Sequence, residues 1–317
     1  MVRRSKRSGR RGSRAVNSFV YLNLVVGLIL GGWYWFQPDG RQAEVRRLVG
    51  NAFKTEKNVS VLNVAWDVWQ LYYSENATGR IVAGDKEIVY GVAPVTTAKG
   101  VTLKTLINRG YVVGYDDALG SPAWVAYHVR DVGNIPKPAP RPEKFEIDRR
   151  TVSRTSSEDF SGSGYDRGHL APNYAIATRY GDEAQRETFL LSNVTPQRHA
   201  LNAGLWKELE MKIATNYPAR YGEVWVFAGP VFGPNPARLK RHVPIPEAFF
   251  MIIVDEQDGK LRTLALLIPQ DTPADTPPEQ FLTTVSEIQR RTQLDFFSEL
   301  DDPSETQVEA ARASRLW

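Results

Sequence analysis

Apolar residues fall along this chain in three rhythms, and each predicts a different kind of element. The first is continuous. Ala15–Phe36, AVNSFVYLNLVVGLILGGWYWF, has no charge over 22 residues, about 33 Å as a helix, which is enough to cross a hydrocarbon core. Trp33, Tyr34 and Trp35 stand at its far end, where amphipathic rings favour the membrane interface. Gln37-Pro38-Asp39-Gly40 is turn chemistry and a natural boundary.

The second rhythm is helical. From Arg41 to about Tyr73, Val45, Leu48 and Val49, then Leu62, Val64, Trp66, Val68, Trp69, Tyr72 and Tyr73, recur at the spacing of one or two amphipathic helices. They predict a stalk or collar whose aromatic cluster is a packing or docking face. Asn58-Val59-Ser60 and Asn76-Ala77-Thr78 fit the glycosylation acceptor pattern, which matters only in a eukaryotic secretory pathway.

The third begins near Gly79, where short β-rich runs are broken by Gly, Pro, Asn and Asp: IVY, YVVGY, AWVAYHV, FLLSNV, EVWVFAG, FFMIIV and TLALLI. Regularly alternating helices do not separate them, which argues for a mostly antiparallel α+β domain over a doubly wound parallel sheet. Ile135–Phe145, IPKPAPRPEKF, reads as a surface excursion, and the residues from Asp301 onward as a polar tail with room for a short helix. The expected organisation is a basic tail at 1–14, a span at 15–36, a collar at 37–79, a domain at 80–300 and a tail at 301–317.

Charge sharpens the picture at the N-terminus. The net charge is +4, but residues 1–14 hold seven Lys/Arg and no acid, leaving 33 basic against 36 acidic side chains elsewhere. The body is therefore not globally basic, and a polyanion would bind it through a local patch. The basic tail before the apolar run puts the N-terminus in the cytoplasm and everything after about Gln37 on the far side of the membrane. That side is the periplasm or exterior in a bacterium, or the intermembrane space in a mitochondrion. A cleaved signal or transit peptide shares the basic start, but its apolar region is typically about 7–15 residues, and no small-x-small cleavage site follows here. The absence of cysteine excludes disulfides, thiolate metal sites and a cysteine nucleophile.

Tyr165-Asp166-Arg167-Gly168-His169 places an acid, a guanidinium and an imidazole within four residues, with Gly168 permitting a tight backbone between them. Of the four histidines, His128, His169, His199 and His242, only His169 has such company. A neutral imidazole takes a proton from water near pH 7, and arginine clamps phosphate with a fork of donors. Further on, ETFLLSNVTPQRHALNAGLWKELEMKIATNY reads as a strand, a proline-containing turn and a helix. Asn202 falls at or near the helix start and offers a carboxamide oxygen to a hard cation, while Glu210, eight residues on, is rotated by only about 80° on an ideal helix. Few direct ligands and many waters is a site that Mg²⁺ tolerates.

At these residues the sequence resembles the DNA/RNA non-specific endonuclease family, the ββα-metal nucleases of the endonuclease G type. The hallmark Asp-Arg-Gly-His stands at 166–169, and the family's Asn-x-x-x-Trp-x-x-Leu-Glu helix as Asn202, Trp206, Leu209 and Glu210. Weaker matches are Tyr111–Tyr115 with Trp124–Tyr127, Ser192–Gln197, Gly229–Phe232 and Leu294–Phe297, so the resemblance covers about residues 80–300. It implies a ββα-metal fold with a mostly antiparallel central sheet flanked by helices. It implies hydrolysis of DNA and RNA phosphodiesters to 5′-phosphate and 3′-hydroxyl products, with Mg²⁺, or Mn²⁺ in its place, as cofactor. His169 is then the general base, Arg167 a contact to the scissile phosphate, Asn202 the metal ligand and Glu210 an outer partner acting through water.

Each residue also has a plainer reading. A lone histidine is most often a hydrogen-bonded core residue, Arg167 could be an ion-pair partner of Asp166, Asn202 a helix N-cap, and Glu210 part of a solvated face. Asp166 reads as structural, orienting its neighbours, and Asn193 as a brace for its turn through backbone hydrogen bonds. Arg141 resembles an upstream arginine that some members use to stabilise transition-state charge, although its loop aligns loosely. His199, three residues before Asn202, reads as coincidence. Partners would be DNA and RNA through the phosphate backbone, a lipid membrane through residues 15–36, and a second copy in a homodimer. Other classes remain open: a membrane-tethered nucleic-acid-binding module of weak activity, an envelope interaction protein using the collar, or a phosphodiesterase for smaller or lipid phosphates.

Overall fold

The β-branched and aromatic runs pair side by side into one twisted sheet in the computed structural model, which describes residues 10–38, 41–42, 45–46, 49–50, 61–72, 88–240, 242–257 and 260–317. The strands are β1 (Val95–Thr96), β2 (Lys104–Asn108), β3 (Tyr111–Asp116), β4 (Ser121–Arg130), β5 (Asp166–His169), β6 (Val194–Gln197) and β7 (Glu223–Val231). They continue as β8 (Arg238–Leu239), β9 (Val243–Pro244), β10 (Ala248–Gln257), β11 (Lys260–Pro269), β12 (Leu282–Thr283) and β13 (Leu294–Asp295). Seven of them form the central sheet in the order β12-β11-β10-β7-β4-β3-β2, every pair antiparallel. The expected antiparallel α+β architecture is what the chain adopts.

Both faces of that sheet are covered, which is why its strands are near-continuous apolar runs. On one face Val113, Tyr127, Val226, Met251 and Leu266 pack against Leu201, Leu205, Trp206, Leu209 and Ile213 of the long helix that follows β6. On the other, Val112, Trp124, Phe227, Phe250 and Ile252 pack against Val285 and Ile288 of the helix Val285–Thr292 and against Phe296 and Phe297. The separate two-stranded ribbon β5–β6 lies at the start of the long helix and carries the Asp-Arg-Gly-His run.

Several local expectations give way. Ile88-Val89-Tyr90 is a turn, although Tyr90 still packs edge-on against Trp225 at 5.3 Å. FLLSNV is a tight 3₁₀ turn over Leu191–Asn193, and only Val194 enters a strand. Pro196 lies within β6, tolerated because β6 pairs on one edge only. The helix Asn173–Glu187 has no counterpart in the sequence reading, since it buries mainly small residues, Ala175, Ala177 and Ala184, and gives little apolar periodicity. The polar tail does hold a helix, Asp302–Ala310, capped by Asp301 accepting from the Ser304 N–H.

Arg10–Trp35 is one helix, and its stretch Ser18–Trp35 is long and apolar enough to cross a membrane. Val61–Tyr72 forms the second helix, and the described residues between 41 and 50 are helical as well. Leu30, Trp33 and Tyr34 of the first helix pack with Val45, Val64 and Val68, and Val152 joins that cluster. Trp66 and Trp69 stack at 4.9 Å and are exposed. Tyr73 and both glycosylation patterns lie outside the described residues.

Candidate active site

Strand alternation sorts the Asp-Arg-Gly-His run onto two faces of the ribbon. β5 and β6 pair antiparallel with Asp166 opposite Gln197, Arg167 opposite Pro196, Gly168 opposite Thr195 and His169 opposite Val194. Arg167 and His169 therefore point one way, Asp166 and Gly168 the other. Gly168 lies in an ordinary extended strand, so its freedom to take a tight backbone is not used. Its missing side chain provides space instead: a Cβ at Gly168 would lie 2.7 Å from Gln197 Cβ and overlap the carboxamide.

His169 is buried in an aromatic box. Phe145 lies at 5.2 Å and Phe189 edge-on at 5.0 Å, centroid to centroid, and Nε2 has no hydrogen-bond partner among the described residues. Burial, with the Arg141 guanidinium second, pushes the imidazole down from its ordinary 6.5 to about 3. The ring is thus held neutral at physiological pH, the form that accepts a proton. Arg141 stacks over Phe189 at 5.1 Å, and its Pro-rich loop is tied down by Gln185 Nε2 donating to the Ala139 carbonyl at 3.2 Å.

The chain after β5 is clamped by Asn193. Its Oδ1 accepts from Ala171 N at 2.8 Å and its Nδ2 donates to the carbonyls of Ala171 and Thr188, each at 3.0 Å. Ser192 beside it donates to Asp148, itself paired with Arg150 at 2.7 Å in a buried ion pair that the sequence reading did not single out.

Arg167 is not paired with Asp166. Its Nη2 donates to the Ser157 carbonyl at 2.6 Å, and its guanidinium lies 5.6 Å from the Phe160 ring and 5.9 Å from that of Phe145, leaving a buried Nε without a partner among the described residues. Asp166 turns instead to the long helix. Its Oδ2 accepts from Asn202 Nδ2 at 2.9 Å and from His199 Nδ1 at 2.8 Å. His199, read as coincidence from sequence, is thereby attached to the constellation.

Asn202 does not cap the helix. Arg198 is the extended residue before it, and Asn202 sits in the first turn, its N–H bonded to the Arg198 carbonyl at 2.9 Å. The helix then widens into π turns over Asn202–Trp206 and Lys212–Asn216, so the ideal rotation to Glu210 does not apply. At Gly204 a Cβ would meet Ala274 Cα at 2.6 Å, a close approach that fits this distortion. Glu210 accepts from Trp206 Nε1 at 3.0 Å. Burial pushes its carboxyl up from 4.5 to about 8, against the pull of the Trp206 N–H, Arg141 and Lys207. Glu210 is therefore no solvated surface carboxylate.

The donor set suits a hard cation. Asp166 occupies the Nδ2 end of the Asn202 amide, and Oδ1 has no hydrogen-bond partner among the described residues, so an oxygen ligand is left available.

Residues 92–303 of this chain match the DNA/RNA non-specific endonuclease family. The chain belongs to that family. Relatives within it include the mitochondrial nuclease EXOG of Xenopus laevis, 29% identical over 219 residues, which cover 64% of this chain and 60% of that protein. Human mitochondrial endonuclease G is 31% identical over 213 residues, 60% of this chain and 68% of that one. Nuclease C1 of Cunninghamella echinulata is 29% identical over 220 residues, 64% and 86%. Among solved structures, an endonuclease G in complex with its inhibitor superposes with a TM-score of 0.56 at 27% identity, covering 62% of this chain and 86% of that chain. The family is divalent-metal-dependent, in keeping with the oxygen site at Asn202.

Proposed function

We propose that this non-specific endonuclease family member is a membrane-anchored, Mg²⁺-dependent hydrolase of DNA and RNA phosphodiesters, with a ββα-metal site in a domain at about 80–300. The observation that carries the reading is the neutral, aromatic-boxed His169 on the same short ribbon as Arg167 and the Asp166–Asn202 pair.

His169 takes a proton from water, and the resulting hydroxide attacks phosphorus in line with the 3′ oxygen, whose bond to phosphorus breaks as that oxygen takes up a proton from solvent water. The products carry 5′-phosphate and 3′-hydroxyl ends. Asn202 Oδ1 would hold the cation, with Mn²⁺ able to replace Mg²⁺, and Glu210 would reach it through water. When bound, the cation would supply positive charge to offset that building on the phosphate as the bond breaks. Arg167, held by Ser157, and Arg141, stacked on Phe189, supply fixed positive charge to the phosphate. Asp166 and Asn193 hold these groups in place. Contacts to phosphate rather than base edges would make cleavage indifferent to sequence.

The helix at 15–36 would anchor the protein with its N-terminus in the cytoplasm and the nuclease on the far side, whether periplasm, exterior or intermembrane space, with 37–79 between them and 301–317 as a tail. A homodimer is compatible with this arrangement.

The test is incubation of the full-length protein in detergent with circular double-stranded DNA and with RNA, with Mg²⁺ and with chelator. Metal-dependent conversion of circles to linear and fragmented DNA is the expected result. Retention of DNA without product under any divalent metal would replace the endonuclease with a tethered binding module.

A further inference from the structure

The far end of the long helix carries a second polar site. Tyr221 follows Asn202 along that helix by roughly 28 Å, at about 1.5 Å per residue. Beside it a cavity of about 510 Å³ opens between Arg220 and Tyr221, Arg262 of β11, and Arg315, Leu316 and Trp317 of the tail. The tail that closes it is fastened in place. Arg312 Nε donates to the Leu282 carbonyl at 3.1 Å, and Ala313, Leu316 and Trp317 pack against the core shared by the sheet and the long helix. Trp317 meets Tyr221 edge-on at 5.8 Å.

Three guanidiniums stand on the cavity wall, and among the described residues no acidic side chain lines it. Arg262 is held on two sides. Its Cζ lies 4.4 Å from the Tyr221 ring centroid and 4.5 Å from that of Trp317, and its Nε donates at 2.6 Å to the buried Asp255. Arg220 rests over Tyr221 at 5.1 Å, and Arg315 is exposed. The Nη atoms of Arg262 and the guanidiniums of Arg220 and Arg315 make no hydrogen bond among the described residues. Asp255 offsets one of the three charges. Like charges gathered on one wall repel, and an anion among them relieves the repulsion.

The wall also says what kind of anion. Arginine forks suit the paired oxygens of a phosphate. Tyr221, Leu316 and Trp317 add flat and apolar surface, which a bare inorganic ion leaves unused. The volume falls within the roughly 300–1,000 Å³ usual for small-molecule sites. A mononucleotide presents both parts, a phosphate and a planar base.

We propose that this cavity is a binding site for a 5′-mononucleotide, with its phosphate held by Arg220, Arg262 and Arg315 and its base against Tyr221 and Trp317. The site is separate from the candidate active site and does not rest on the reading given to it. The proposed cleavage would release 5′-phosphate ends, so a ligand of this class would be its end product, bound at a distance from the cut.

The test is equilibrium dialysis of the full-length protein, in detergent and chelator, against radiolabelled adenosine 5′-monophosphate, with inorganic phosphate and adenosine as competitors. Wild type, Arg220→Ala/Arg315→Ala and Arg141→Ala/Arg167→Ala are compared, with thermal unfolding of each. Wild type should retain the nucleotide. Arg220→Ala/Arg315→Ala should bind it at least about 10-fold more weakly, because charge-assisted hydrogen bonds to phosphate are lost. Both side chains are exposed, so its unfolding midpoint should hold. Phosphate and adenosine should each compete at least about 10-fold less well than the unlabelled nucleotide, since each presents only half of it. Binding lost in Arg141→Ala/Arg167→Ala but kept in Arg220→Ala/Arg315→Ala would move the nucleotide to the candidate active site and overturn the proposal. Phosphate competing as well as the nucleotide, or no retention by wild type at millimolar ligand, would overturn it too.

Discussion

Asp166 and Asn202, 36 residues apart in the chain, meet at 2.9 Å, with the Asn202 Nδ2 donating to Asp166 Oδ2. One end of the carboxamide is spent there, and the oxygen end has no hydrogen-bond partner among the described residues, so on the proposed reading it is free to hold a cation. On that reading the acid of the Asp-Arg-Gly-His run orients the ligand, and cutting its bond should loosen the ligand without removing it. Asp166→Leu is expected to raise the Mg²⁺ concentration for half-maximal cleavage by roughly 10- to 100-fold, with much of the rate returning at saturating Mg²⁺. Asp166→Asn, which keeps an acceptor, should do less. A large rate loss with an unchanged metal requirement would mean that Asp166 acts elsewhere.

His169→Ala should lower the cleavage rate by roughly 10²- to 10⁴-fold while sparing nucleic-acid binding, since only the proton acceptor is lost. The same residue should appear in stability. Its folded pKa is about 3 against an ordinary 6.5, so between those values the unfolded chain holds the extra proton. The contribution of the neutral ring is complete above about pH 6.5 and is lost as pH falls toward 3, at up to about 1.4 kcal/mol per pH unit. Urea unfolding of wild type and His169→Phe at pH 7 and pH 5 should show the wild type losing more. Parallel losses would show that His169 is not held neutral.

Much of this site was legible because its chemistry is contiguous. The residues of the Asp-Arg-Gly-His run and the Asn202–Glu210 helix stand close in sequence and keep their spacing in any fold. The central sheet was legible for a related reason: it is buried on both faces, so β7, β10 and β11 are long apolar runs. Contacts between distant segments were not. Nothing near Phe145 or Phe189 announces that they box His169, and nothing in Ser157 announces that its carbonyl holds Arg167. His199 is three residues from Asn202, but only the turn of the helix brings its ring to Asp166. Gly168 was read as a conformational device, whereas its strand is ordinary and the need is for room. A short strand of four residues, such as β5, carries too little periodicity to be told from a loop.

Glu210 should report cation binding by its proton. Burial raises its carboxyl to about 8, so it is mostly protonated at pH 7 before a cation arrives. A nearby dication favours the ionised form, and binding should expel up to about one proton per ion. Calorimetric titration with Mn²⁺ at pH 7, in two buffers of different ionisation enthalpy, measures that number directly. Glu210→Gln should abolish the release and weaken binding. The sign for stability is opposite to that of His169: the favourable protonated carboxyl is complete below 4.5 and lost as pH rises through about 8. Proton release unchanged in Glu210→Gln would assign it to another group.

The N-terminal helix makes a separate prediction. Phe19, Tyr21, Leu24, Leu28 and Ile29 are all exposed on Arg10–Trp35, an apolar surface that water would not tolerate along so long a helix. A bilayer around Ser18–Trp35 would remove it from water, and the basic residues before it would favour the cytoplasmic side. Because the chain has no cysteine, single labels report topology without background. In intact cells or right-side-out vesicles, a membrane-impermeant maleimide should label Val132→Cys, an exposed position on the nuclease side, and reach Ser5→Cys only after permeabilisation. The full chain should remain in the membrane pellet after alkaline carbonate, and a chain lacking residues 1–37 should not. Release of the full chain by carbonate, or equal labelling of both cysteines before permeabilisation, would remove the anchor while leaving the nuclease site as argued.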